Sequence, residues 1–147
     1  LPVRKPRPED AELRPFLPAE VPPPLAMTEL RAGNGIETVT HDLITGESVF
    51  VTEEDGGRYL IDHIGLATEH AHREEFRIAD DDPLSARVDI AHTRRIERDG
   101  WRTRTETRTV MRATATEFIV DATLDAFEGD TRIVSRTWHV RHKRDFV

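Results

Sequence analysis

Along residues 116–127 the side chains change character at almost every position: Phe118, Val120, Ala122, Leu124 and Ala126 alternate with Ile119, Asp121, Thr123 and Asp125. A period of two suits a strand with one face on a core and the other in water. It does not suit a helix, whose apolar positions recur every three or four residues. The first set is therefore expected to face the core. Extended stretches of similar length are expected at about 87–98, 101–113 and 131–141. Asp99-Gly100 and Glu128-Gly129-Asp130 lie between them as hairpin turns, because glycine supplies the positive φ that tight turns demand. No window of comparable length repeats apolar residues at helical spacing, so helices are short at most.

Upstream, residues 36–43 are rich in β-branched side chains, and Thr45-Gly46 turns the chain into 47–52, which reads as a hairpin. Asp55-Gly56-Gly57 is expected to break the chain before 58–64, and a further extended stretch spans about 67–78. Eight of the nine prolines fall in residues 1–24, ending in Pro22-Pro23-Pro24, a density that removes N–H donors and forces extended backbone. Residues 1–24 thus read as a linker or arm, and 25–147 as one domain. Two readings stand equal for the apolar residues Leu13, Phe16, Leu17, Val21 and Leu25: they lie along a groove of a neighbouring domain, or the segment is a partly disordered tail. Short strands and frequent turns point to an all-β, antiparallel sandwich or jelly roll, with a closed barrel as the second choice.

With 37% hydrophobic and 33% charged residues, a core has to come from alternating faces and not from solidly apolar segments. The formal net charge of -7 repels a phosphate backbone, which removes nucleic acid from the expected partners. The absence of cysteine excludes disulfides, a thiolate nucleophile and Cys-ligated zinc, and no apolar run approaches the length of a membrane-spanning helix. The cytoplasm is the default compartment. A chain opening Leu1-Pro2-Val3 is expected to be an excerpt or a processed product.

Serine hydrolase chemistry needs a nucleophile on a sharp Gly-x-Ser-x-Gly elbow, and the sequence has none. Its three serines, Ser48, Ser85 and Ser135, have no flanking glycines. His70 and His72 should share one strand face, and His139 lies near His142, but the spacing supplies no third or fourth metal ligand, so solvated histidines are expected. Asp80-Asp81-Asp82 lacks the glycine and distal glutamate of a calcium loop and reads as an acidic turn. One face of the 101–109 stretch carries Arg102, Arg104, Glu106 and Arg108, which should be wet or meet acids of another domain. No catalytic residue and no cofactor or metal site is assigned.

Several segments in order resemble the C-terminal domain of the CocE/NonD hydrolases, the family of cocaine esterase, α-amino-acid ester hydrolases and X-Pro dipeptidyl-peptidases. They are Thr45-Gly46, Asp81-Asp82-Pro83-Leu84-Ser85-Ala86, Asp99-Gly100-Trp101, Glu106-Thr107, and Phe118 leading to Leu124-Asp125-Ala126. Then come Glu128-Gly129-Asp130, Arg136-Thr137-Trp138 and the ending Arg144-Asp145-Phe146-Val147. The match runs from about Val21 to Val147, and it departs from the family where His142-Lys143 stands in place of an Ile-Pro pair. The resemblance implies a galactose-binding-domain-like jelly roll packed on an α/β-hydrolase catalytic domain that carries the Ser, Asp and His triad. None of those catalytic positions maps onto this chain. It further implies a role in buttressing the catalytic domain and shaping its substrate cleft, with Trp101, Arg136 and Trp138 as candidate contacts.

Two other readings come from different classes. One is a stand-alone sandwich or barrel with a concave pocket for a small ligand or carbohydrate. The other is a module that dimerises through a strand edge, which the charged Arg/Thr strand discourages. Independent catalysis by Asp80 to Asp82 with His70 would require folding to collect them in one pocket.

Overall fold

The computed structural model describes residues 4–5, 7–12, 14 and 17–145. The apolar arm residues Leu13 and Phe16, and the terminal Phe146-Val147, lie outside the described residues. Eight antiparallel strands form one sheet: β1 (Met27–Arg31), β2 (Asn34–His41), β3 (Glu47–Ile61), β4 (Leu66–Ala79), β5 (Asp82–Arg98), β6 (Trp101–Ala113), β7 (Glu117–Glu128) and β8 (Thr131–Lys143). From β3 to β8 every strand pairs with its neighbours in sequence. Short β1 and β2 lie end to end along the free side of β3, β1 against Arg58–Ile61 and β2 against Ser48–Asp55. The expected all-β, antiparallel architecture forms. Its strand order is a meander, however, and the crossovers that define a jelly roll do not occur among the described residues. The local reason is that tight turns join successive strands, which makes sequence neighbours into sheet neighbours.

The turns follow the sequence closely. Asp99 and Gly100 take φ of 52° and 80°, both left-handed, as a two-residue hairpin matched to strand twist requires. At the first hairpin Asp42 Oδ1 accepts the N–H of Ile44 at 2.8 Å and of Thr45 at 3.2 Å, while Gly46 closes the turn at φ 68°. Between β4 and β5, Ser85 Oγ donates to the Asp82 carbonyl at 2.6 Å and accepts the Ala79 N–H at 2.8 Å, a purely structural task.

Asp55-Gly56-Gly57 differs from expectation: instead of ending a strand it forms a bulge inside β3, where the register to β4 shifts between Asp55 and Arg58. The edge strand kinks at the same level, between β1 and β2. A Cβ on Gly33 would stand 2.4 Å from the Asp55 carbonyl oxygen, so only glycine lets the two backbones approach. Arg31 clamps the bulge, its guanidinium donating to both Asp55 oxygens at 2.6 and 2.8 Å, and Asp55 also accepts the Gly57 N–H at 2.9 Å.

The Arg31 guanidinium, then the Gly57 N–H, hold the Asp55 carboxyl down at about 2. A carboxyl depressed in the folded state stabilises the fold above its unfolded value of about 4, and that contribution fades as pH falls through about 2. The stability difference between the native chain and Asp55→Asn, measured by urea unfolding, should therefore be constant above about pH 5 and close towards about pH 2.

Paired residues share a sheet face, so the registers sort every strand residue onto one of two surfaces. One surface is ionic, with rows of opposite sign lying side by side. Arg77, Arg87 and Arg112 fall in register in one row, and Glu75, Asp89 and Asp121 lie one step along in the next. Glu75 accepts from both Arg73 and Arg77, and Arg108 donates to Asp89 at 2.6 and 2.9 Å. These arginines hold the Glu75 and Asp89 carboxyls below the usual carboxylate range. Arg102, Arg104, Glu106 and Arg108 belong to this ionic face, as their alternation with threonine suggested, and Arg104 lies 4.1 Å over the Phe127 ring.

Little of the chain is buried. Among the described residues only Gly57, Ala67 and Ile119 are buried, the last two on the ionic face beneath long side chains. A compact monomer of this mass exposes about 7,600 Å², whereas this one exposes 11819 Å², partly through residues 17–26, all of them exposed. A single sheet layer has one face too many in water.

Candidate functional site

The other sheet surface carries the strand residues expected to form a core, and nothing among the described residues covers them. Its most apolar row crosses all seven strand positions: Val39, Phe50, Phe76, Val88, Met111, Val120 and Val140 are successive register partners from β2 to β8. The Phe50 and Phe76 rings stack at 6.0 Å. Phe76 is nevertheless 40% exposed and Val39 73%, values foreign to a filled core. Towards Ile78 and Phe118 the surface dishes into a cup of about 510 Å³ whose lining also includes Arg144. Contiguous apolar surface of this extent marks a contact site.

Two steps away the same face becomes polar, with Glu54, His72, His92, Thr107, Leu124 and Arg136 in register across β3 to β8. The His72 and His92 rings stack at 5.3 Å, and Glu54 approaches His70 at 3.7 Å and His72 at 3.8 Å. His70 and His72 thus share a face, as their spacing required. Among the described residues no three His, Asp or Glu side chains gather as a metal ion needs. His139 and His142 point to opposite faces; His139 Nδ1 bonds Asp121, which holds that carboxyl below its usual range.

The three candidate contact residues also lie on this uncovered face. Trp101 is 51% exposed, with its indole N–H donating to Glu128 Oε1 at 2.9 Å, and Trp138 is 46% exposed beside Ala122. Arg136 stands opposite Leu124. Among the described residues, Arg94, Arg98 and Arg136 on this face have no carboxylate within salt-bridge distance. Asp80-Asp81-Asp82 forms the β4–β5 turn, with Asp81 at φ 58°.

The fold joins one set of residues that sequence reasoning left apart. Ser48 Oγ shares a 2.9 Å hydrogen bond with His41 Nδ1, and His41 Nε2 lies 3.7 Å from Asp80 Oδ2, beside the apolar cup. Residue types match a hydrolase triad, but geometry does not. The Asp contact is longer than a hydrogen bond, and Ser48 sits mid-sheet, paired with His41 on one side and Ile78 on the other. A triad needs its serine on an exposed turn with free N–H groups to stabilise an oxyanion. His41 and Ser48 sit on the two strands of the first hairpin, but Asp80 is more than thirty residues on, and only the register of the sheet brings it to them.

No protein-family model matches this sequence, and no curated protein and no solved structure matches it.

Proposed function

We propose that this chain is a non-catalytic β domain of an α/β-hydrolase-type serine hydrolase, packing its apolar face on a further layer of that enzyme and helping to shape the substrate cleft. The uncovered row from Val39 to Val140 is the observation that carries the reading, because a domain whose core residues lie open to water is completed by a neighbour. Trp101, Arg136 and Trp138 on the same face support it, since aromatic residues and arginine are the side chains most enriched in contacts. The partner in this reading is the catalytic domain, which forms an acyl-enzyme from an ester or an X-Pro amide without metal or organic cofactor.

A second reading is favoured by the cup of about 510 Å³, which is of a size and lining suited to a small apolar ligand.

Hydrolysis of p-nitrophenyl esters and an X-Pro-p-nitroanilide, by the 147-residue chain and by the product of its gene read from the start codon, separates the possibilities. The expected result is an inert chain beside an active gene product containing a Gly-x-Ser-x-Gly segment. Turnover by the chain itself, abolished by Ser48→Ala, would instead make Ser48, His41 and Asp80 the active site.

A further inference from the structure

We infer that the uncovered face is complementary to itself, so that this chain on its own closes into a symmetric two-layer dimer. The inference stands apart from the hydrolase reading and rests on the registers of the sheet.

Two copies laid face to face about a two-fold axis parallel to the strands, midway between β5 and β6, bring β6 over β5, β7 over β4 and β8 over β3. Rows keep their level under this operation. In the apolar row each bulky ring then meets a small side chain, Phe50 against Val140 and Phe76 against Val120 of the second copy, with Val88 against Met111 nearest the axis. Large against small is what lets two sheets interdigitate at about 10 Å.

The row that holds Arg136 agrees with the same axis, while Glu74, one row nearer the apolar one, comes opposite Ala122. Arg136 on β8, without a carboxylate partner among the described residues, comes opposite Glu54 on β3 of the other copy, once on each side of the axis. Arg94 and Arg98, also without one, come opposite Thr105 and Trp101 and not opposite themselves. An axis placed along β5 would set Arg94 against Arg94.

The area is sufficient. Six strands spaced about 4.8 Å apart and overlapping for about ten residues cover about 900 Å² per copy, against about 800 Å² per partner in an ordinary stable interface. The operation also buries surface of the kind that a monomer of this mass holds in excess.

Sedimentation equilibrium from about 1 to 100 µM tests this, with far-UV circular dichroism to show that each variant keeps its strands. The native chain should sediment at twice its 16.8 kDa. Glu54→Arg and Arg136→Glu should each weaken self-association about ten-fold or more, because like charges then meet twice. Association should return in the double variant, and in an equimolar mixture of the two single variants as a heterodimer. A native chain that stays monomeric at 100 µM overturns the proposal and leaves the hydrolase reading to its own assay. A dimer indifferent to both charge reversals also overturns it, because such a dimer associates through another surface, a strand edge or the arm.

Discussion

Gly57→Ala should cost about 3 kcal/mol and lower the melting temperature by roughly 10 °C. Two penalties combine at this position. Gly57 holds φ at 76°, where an L side chain is strained by about 1–2 kcal/mol; and a Cβ there would stand 2.6 Å from the Arg31 carbonyl oxygen and 2.8 Å from the Gly33 nitrogen. Both obstacles are backbone, pinned by the β1–β3 ladder and by the Arg31–Asp55 pair, so neither can turn aside. Gly65→Ala is the matched control: its φ is 60°, but nothing lies within 4 Å of the added carbon, and only the strain of about 1 kcal/mol should remain. Gly56→Ala should fall between them, since its obstacle is the His70 ring, which can rotate at the expense of its approach to Glu54. Thermal unfolding followed at 218 nm ranks the three; equal losses at Gly57 and Gly65 would mean that the bulge does not hold the two backbones together.

Ile119→Ala should cost about 2–3 kcal/mol in urea unfolding, near the lower end of buried isoleucine truncations because the site sits under side chains and not inside a two-layer core. Ile119 is 5% exposed on the ionic face, between Arg112 on β6 and Arg141 on β8. Their aliphatic stems cover it while the charged ends bond outward, Arg112 to Asp121 at 3.2 Å and Arg141 to Glu117 at 3.0 Å. Ile133→Ala, at a residue 56% exposed, should change stability by no more than about 0.5 kcal/mol. Comparable effects at the two positions would place the stabilising contacts elsewhere.

The strands were legible because their evidence is local. The stretch expected at 101–113 is β6, residue for residue, and the neighbouring strands agree to within a few residues at their ends, with β5 starting earlier. Sidedness was legible too: Phe118, Val120, Ala122, Leu124 and Ala126 do share the apolar face, and Arg102 to Arg108 the ionic one. Asp55-Gly56-Gly57 misled because glycines that end a strand and glycines that bulge it look alike in sequence. What separates them is Gly33, more than twenty residues upstream, whose close approach the bulge accommodates. Trp101 and Trp138, candidate contacts from the sequence, are both half exposed, since an apolar face has a core only when something lies upon it.

Period-two alternation and left-handed turn residues by themselves determined an all-β antiparallel chain with one apolar and one charged surface, because strand conformation and turn chirality depend on residues within a few positions of one another. Tertiary structure alone decided that seven apolar side chains from seven strand positions line up in one row, that His41 meets Ser48 and Asp80, and that the row is left uncovered. Those outcomes depend on register accumulated through successive hairpins and one bulge, and on the presence of a second layer, and neither quantity is a property of any local window of sequence.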